Sequence, residues 1–299
     1  MIHSPWDAEM RDGRIFGRGS CDMKSGIAAM CVAALRAAEK LGENANRQII
    51  VAAVTDEEYE SLGMRALIAS GVRAEHAIVT EPTRVAICPA HRGFVWAEIE
   101  FTGRAAHGSR YDIGVDAIRH AALVLAELDR FESEVLTTRT HDLLGHASLH
   151  ASTISGGIGM STYPDYCKLA IERRTLPGES TEQVMREIQD ACERVKARDS
   201  RLDASVRLLT AQAPSDVAPD APVVRMLERA LAGEGLAASV EGLSAWTDAA
   251  LLNEAGIPAI CFGPGDIGLA HAAEEYVPVS DIEQATAVLE RVALEWMSG

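Results

Sequence analysis

The spacing of apolar residues changes character twice along the chain, and this double change limits the fold more than any other feature. Helical and buried-strand stretches alternate over the first ninety residues. Residues 26–41 are rich in Ala, Leu and Met. Ile27, Met30, Ala34 and Leu35 keep helical spacing there, and Gly42 follows as a stop. Residues 49–54 (IIVAAV) form a continuous apolar run of the buried-strand kind; residues 61–69 read as a second helix and residues 77–79 as another strand. Strand, helix and strand with short connections predict parallel pairing in an α/β layer.

From Phe94 the period shifts. Val95, Ala97, Ile99 and Phe101 alternate, and Ile118, Ala122, Leu125 and Leu128 then fall on one helical stripe. Leu149, Ala151 and Thr153 alternate again. So do Cys167, Leu169 and Ile171, after the turn signals Gly156, Gly157 and Pro164. Ser180 and Gln183 have capping-box spacing ahead of a helix that buries Val184, Ile188, Cys192 and Val195; Ala204, Val206 and Leu208 make a last strand. This β-α-β-β-α-β order is that of a ferredoxin-like sandwich. The segment AQAPSDVAPDAP reads as a linker. Helix (223–231), strand (257–262) and a closing helix carrying Ile282, Ala285, Leu289, Val292 and Trp296 return after it. The expected architecture is therefore α/β: one domain split into 1–91 and 211–299, with a ferredoxin-like α+β domain, 92–210, inserted between its halves.

Composition excludes several partners. With 28 Lys and Arg against 44 Asp and Glu in 299 residues, the net charge of -16 repels phosphate backbones and anionic lipid, so neither nucleic acid nor a membrane is expected. No apolar run reaches the roughly 18 residues of a membrane helix, and MIHSPWDAEMRDGR lacks the form of a signal peptide, so a cytoplasmic location is expected. The six cysteines are widely spaced without a C-x-x-C pair and are expected to be reduced and mostly buried.

Residues able to do chemistry collect where strands end. Asp22 sits in the turn GRGSCDMKSG before a helix, where capping that helix is the simpler role. Glu57 and Glu58 follow the apolar run in TDEEYES, Glu81 follows a strand in TEPT, and His271 lies in the Gly-rich GPGDIGLAHAAEE. In α/β sheets ligands bind beyond the carboxyl ends of strands. Several carboxylates with one imidazole suit a divalent metal beside a carboxylate base.

The segments GRGSCDMKSGIAA, TDEE, TEPT, AAHGS, IERRTLPGE, TDAALLNEAGIP and GLAHAAEEYV, in this order along essentially the whole chain, resemble the dinuclear zinc amidohydrolases. That family includes acetylornithine deacetylase, succinyl-diaminopimelate desuccinylase, aminoacylases and glutamate-releasing carboxypeptidases. The resemblance implies a zinc-peptidase-like catalytic domain interrupted by a lid that also forms a homodimer. It implies one or two zinc ions, with cobalt or manganese as substitutes. By motif, Asp22 corresponds to a bridging ligand, Glu58 and His271 to the other ligands of one metal, Glu81 to a ligand of the second, and Glu57 to the general base. A cis peptide between Asp22 and Met23 is also implied. Asp56 and Glu60 match no ligand position and are expected to be solvated.

In the lid, His107 resembles a histidine that reaches across the dimer to the oxyanion, although a capping role in its turn remains open. Arg174 resembles the arginine that holds a substrate carboxylate, with Arg173 on the structural face of the strand. Gly156 and Gly157 either let the backbone approach substrate or simply form a hairpin. His141, His146 and His150 are expected on strands or the surface. The implied activity is hydrolysis of the amide bond of an N-acyl amino acid, as in acetylornithine deacetylase, or of a dipeptide or carboxy-terminal peptide bond.

One departure matters. The family pattern places a strand ending in His-x-Asp ahead of these motifs, and no such element precedes residue 22; His3 lacks the following Asp. The expectation is an N-terminally truncated chain that binds at most one zinc tightly and is a weak hydrolase. A non-catalytic dimerising or ligand-binding protein is the alternative.

Overall fold

The computed structural model describes residues 1–2, 4–42 and 47–298; His3 lies outside them. It contains two compact units, Met1–His91 with Ser215–Gly299, and Arg92–Pro214. In chain order the first unit begins with β1 (Glu9–Arg11), β2 (Arg14–Phe16), α1 (Ser25–Leu41), α2 (Leu62–Ala69), β3 (Ala77–Val79) and β4 (Ile87–His91). The second unit holds β5 (Gly93–Thr102), α3 (Ala117–Glu134), β6 (Thr140–His141), β7 (Gly145–His146), β8 (Ser148–Gly156), β9 (Tyr166–Thr175), α4 (Thr181–Lys196) and β10 (Asp203–Gln212). The first unit resumes with β11 (Ser215–Asp216), α5 (Pro222–Gly233), β12 (Val240–Leu243), α6 (Ala249–Glu254), β13 (Ala259–Cys261), β14 (Tyr276–Pro278) and α7 (Val279–Ser298).

The main sheet of the first unit runs β11-β4-β13-β3, with β12 parallel to β4 and β13 parallel to β3. All five residues of β4 are buried, and successive side chains serve opposite faces. Ile87 joins Val224, Leu227, Phe262 and Val288 in one core, whereas Cys88 joins Met64, Leu243, Leu252 and Ile257 in another. Helices α1, α5 and α7 cover the first face; α2 and α6 cover the second. A small antiparallel sheet, β1-β2-β14, stands beside them.

Three expectations for this unit change. Residues 49–54 are not a buried strand: they join no ladder, and Ile50 and Val51 are 47% and 41% exposed. An apolar run becomes a buried strand only with neighbours along its edges and cover on both faces, and among the described residues β3, at the end of the sheet, pairs only with β13. The run and β3 instead line a common cavity of about 770 Å³. Helix α1 correspondingly buries Ala29, Ala33 and Ala37 rather than the expected stripe. Ile27, Met30 and Ala34 line the cavity, and Leu35 is exposed. The expected linker is also partly structured, since Ser215 and Asp216 pair antiparallel with His91 and Ala90.

In the second unit the strand order is β10-β5-β9-β8, all antiparallel, with α3 and α4 packed on the sheet. This is the ferredoxin-like arrangement read from the period change at Phe94. The unit extends to Pro214 because β10 continues to Gln212, beyond the expected boundary at 210. The buried side of α3 is Ala117, Ala121, Val124 and Leu128; Ile118 and Ala122 are exposed. The stripe is displaced because this side also buries His120 and Glu127, polar residues that an apolar pattern excludes. On the outer strand β8, Leu149 is buried but Ala151 and Thr153 are exposed. His141, His146 and His150 lie on β6, β7 and β8, half-buried or exposed. All six cysteines are free, five of them buried. Among the described residues no helix is long and apolar enough to cross a membrane.

Glu127 explains how a charge is tolerated beneath α3. Burial would raise its pKa, but Arg130, Arg194 and Arg198 all donate to it and hold the carboxyl down at about 2. An unfolded glutamate titrates near 4.3, so the contribution of this cluster is fully present above about pH 4.5 and is lost as pH falls towards 2. The arginines are roughly half exposed, so screening reduces the expected contribution to about 2 kcal/mol. Glu127→Gln is expected to lower the melting temperature by about 5 °C at pH 7 and by little at pH 2.5, read by calorimetry. Equal losses at both pH values would contradict this account.

Candidate metal centre

Three segments of the first unit meet at the end of its sheet. The turn before α1 is held by Glu275, whose carboxylate is almost completely buried. Its Oε1 accepts the backbone N–H groups of Cys21 (3.1 Å) and Asp22 (3.2 Å), and its Oε2 accepts from Arg18 Nη1 (2.8 Å). Arg18 Nη2 in turn donates to the carbonyl of Ala272 (3.1 Å), so the turn and the loop carrying His271 are tied together. The Asp22–Met23 peptide is cis, as the resemblance implies. Gly26 lets α1 approach β3, because a Cβ there would stand 2.1 Å from the Thr80 carbonyl oxygen.

These contacts bring Asp22 and His271 to Glu58. His271 Nε2 lies 3.0 Å from Glu58 Oε1 and 3.7 Å from Asp22 Oδ2, and one ligand atom from each residue falls within 4.8 Å of the others. Asp22 is half-buried, while Glu58 and His271 open to solvent. His271 has φ +57°, a left-handed conformation that is uncommon for a residue with a side chain and tends to occur at functional sites. Interaction with Glu58, then Asp22, raises the imidazole pKa.

Acid accumulates behind this trio. Burial, followed by the charges of Asp248, Glu58 and Asp22, pushes Glu57 up to about 8. Glu81 is driven well above the usual range, first by complete burial and then by Glu57 and Asp22. Asp22 is raised by burial and Glu58, with His271 opposing. Asp248, 2% exposed at the start of α6, is raised by burial, with the Ser61 hydroxyl and Arg65 opposing. Concentrated negative charge of this kind is what a divalent cation neutralises.

Glu275 and Asp248 carry no role in the sequence reading, although both lie inside quoted segments, AHAAEE and TDAA. For Asp248 the available signal was a charged residue directly before the apolar stretch AALL; Glu275 carries no local signal, because the backbone groups it accepts from lie about 250 residues earlier. Asp56 is not merely solvated: its Oδ2 accepts the backbone N–H groups of Glu60 and Leu62, shaping the start of α2. Glu60 is exposed.

The remaining candidates lie in the second unit. His107 is exposed, its Nδ1 2.8 Å from Ser109 Oγ. Arg174 on β9 is half-buried, pairs with Glu172 (3.0 Å) and lies over the Phe94 ring, whereas Arg173 is buried and pairs with Glu179. Gly156 ends β8, where a Cβ would meet the Tyr166 carbonyl oxygen at 2.7 Å, and Gly157 takes φ +75°. The strand pairing and turn account for both glycines locally.

Residues 2–295 match Peptidase family M20/M25/M40. This chain belongs to that family. It is 33% identical to the acetylornithine deacetylase of Myxococcus xanthus over 97% of its own length and 74% of that protein. It is 28% identical to a putative succinyl-diaminopimelate desuccinylase of Mycobacterium tuberculosis, over 93% and 75%. Among solved structures, the M20 metallo-carboxypeptidase Sso-CP2 of Sulfolobus solfataricus superimposes with a TM-score of 0.75 at 14% identity, covering 99% of this chain and 80% of the other. This M20 chain is thus a hydrolase of the metallopeptidase and amidohydrolase type, a family that uses divalent metal, and its α/β architecture is that of the family.

Proposed function

We propose that the chain hydrolyses the amide bond of an N-acyl amino acid with a zinc-dependent site in which Asp22, Glu58 and His271 hold one ion. The carrying observation is the approach of two carboxylates and one imidazole to within 4.8 Å at an open site, with Glu57 and Glu81 directly behind them. The donor set fits: one nitrogen and two carboxylate oxygens suit zinc, with a position left for water or substrate. Glu81 and Asp22 are the candidates for a second, weaker ion. A bound divalent ion supplies Lewis acidity towards the substrate carbonyl and acidifies water.

Glu57 takes the proton from the attacking water and returns it to the leaving amine, a shuttle that suits a carboxyl whose surroundings raise its proton affinity. Arg174 holds the substrate carboxylate through its planar fork. Gly156 and Gly157 leave room for the substrate backbone. His107 acts on the oxyanion from a second copy, in a homodimer formed through the 92–214 unit. The uncovered β8, with Ile154, Ile158 and Met160 exposed near its end, supports that pairing. The name of the Myxococcus relative favours an acetylornithine-like substrate; dipeptide hydrolysis is the other outcome of the same assay.

Zinc titration tests the metal site. One equivalent is expected to bind tightly and, at a hundredfold excess over its dissociation constant, to stabilise by about 2.7 kcal/mol, raising the melting temperature by several degrees. His271→Ala is expected to abolish that shift. Turnover of a panel of N-acetyl amino acids and dipeptides then identifies the substrate, and zinc binding with no turnover of any member would reject the hydrolytic reading.

A further inference from the structure

Glu81 and His271 lie on segments that are hydrogen-bonded to each other, and the joint between them is strained. Just after Glu81 the chain turns over residues 83–86, closed by the N–H of Ala86 on the Thr83 carbonyl (3.0 Å). Both central residues are left-handed, Arg84 with φ +57° and Val85 with φ +60°. A turn of this form ordinarily uses asparagine and glycine, and a β-branched valine at positive φ is an outlier. Such a conformation persists only where the surroundings over-determine it, and it clusters at functional sites.

The surroundings here are residues 263–267, which lead into the loop carrying His271. The N–H groups of Arg84 and Val85 donate to the carbonyls of Gly265 (2.6 Å) and Gly263 (3.0 Å), and the N–H of Ile267 donates back to the Pro82 carbonyl (3.1 Å). At the centre is the hydroxyl of Thr83, a residue only 4% exposed. It accepts the N–H of Gly263 (3.0 Å) and donates to the Ala86 carbonyl (2.7 Å), so a single group closes the turn and fastens the loop to it. A Cβ on Gly263 would stand 2.6 Å from the Glu81 carbonyl oxygen, so the loop lies directly on the backbone of Glu81. On its other side the loop meets the Asp22 turn, where Cys21 Sγ lies 3.3 Å from the Asp266 carbonyl oxygen. The exposed Arg84 side chain adds less, since it reaches Glu241 (2.6 Å) more closely than Asp266 (3.4 Å).

We propose that Thr83 is a positioning residue of the candidate metal centre. Its hydroxyl fixes the loop carrying His271 against the turn that follows Glu81, and so sets the spacing of ligands that come from different segments. This role rests on the zinc site proposed above. Thr83 is not itself a ligand, because its hydroxyl is engaged by Gly263 and Ala86.

Thr83→Val and Thr83→Ser test the role in the full chain. Valine keeps the branched shape and deletes both hydrogen bonds, leaving the Gly263 N–H without that acceptor; serine keeps them. In zinc-free protein Thr83→Val is expected to speed amide exchange at Ile267, Leu269 and Ala270 at least tenfold, although none of these donates to Thr83. Zinc affinity is expected to fall at least tenfold in Thr83→Val and to stay within threefold of the parent in Thr83→Ser. Val224→Ala, a truncation in the core beneath α5, lowers stability without touching the loop and is expected to leave zinc affinity unchanged. The parent supplies a measurement that decides even if Thr83→Val fails to fold. Zinc is expected to slow exchange at Gly263, Arg84 and Val85 at least tenfold, because an opening that breaks this joint must also weaken the hold on the ion. Parent-like exchange in Thr83→Val, equal loss of zinc affinity in Thr83→Val and Val224→Ala, or no slowing at these amides in a parent that binds zinc would each overturn the role of Thr83. A parent that binds no zinc would instead overturn the metal reading, and zinc-free exchange at Ile267, Leu269 and Ala270 would then decide whether Thr83 fixes the loop.

Discussion

Glu57→Gln is expected to leave zinc affinity within a few-fold of the parent while reducing turnover by a hundredfold to ten-thousandfold, the range covered by a positioned general base. The two effects separate because Glu57 stands outside the cluster formed by Asp22, Glu58 and His271, yet interacts with two of its members. Gln keeps the volume and can still accept a hydrogen bond, but it cannot carry a proton from water to amine. Its effect should therefore fall on kcat rather than KM. With no ion bound, Glu57 is pushed up to about 8 and is largely protonated near pH 7, so a neutral Gln there is expected to change metal affinity little. Zinc titration by calorimetry and steady-state kinetics on the same preparation check both halves. Parent-like kcat would remove Glu57 from the reaction, and lost zinc would make it a ligand.

The sequence and the structure agree where local pattern and final environment coincide. The ferredoxin-like order was readable because β5, β9 and α4 each bury one regular face, as in the alternation of Val95, Ala97, Ile99 and Phe101. The carboxylates of the site were readable because Glu57 and Glu58 lie just beyond the apolar run 49–54 and Glu81 just beyond β3, although that run is no strand and their individual roles came from the family resemblance rather than from spacing. Residues 49–54 show the opposite case. Their composition specifies suitability for a buried strand, but a strand also needs a partner along its edge, and that requirement is not encoded in the run itself. The stripe of α3 was misread for a related reason: Glu127 is buried only because three arginines, two of them on or just beyond α4, reach it. Glu275 was missed because its partners are the backbone N–H groups of Cys21 and Asp22, about 250 residues earlier in the chain, which no side-chain motif reveals.

That same carboxylate gives the other large expected effect. Glu275→Ala removes two acceptors from the turn that presents Asp22 and strips Arg18 of the partner that holds it against the Ala272 carbonyl. Breaking a buried pair by deleting one member costs about 3 to 5 kcal/mol, because the surviving groups stay desolvated. Arg18 is 37% exposed and can turn to water, so the lower end of that range is expected. The change also releases Asp22 and His271 from their common anchor. Zinc affinity should therefore fall by about 10- to 100-fold although no ligand is altered, the usual penalty for losing the groups that orient ligands. Glu275→Gln separates the two contributions. Its carbonyl oxygen can still accept from Cys21 and Asp22, so the turn keeps its shape, while its amide meets Arg18 donor to donor. That variant should lose stability yet retain most of the zinc affinity, with denaturant unfolding and zinc titration as the paired measurements. Equal loss of zinc affinity in both variants would show that the pairing with Arg18, rather than the backbone contacts, positions the metal ligands.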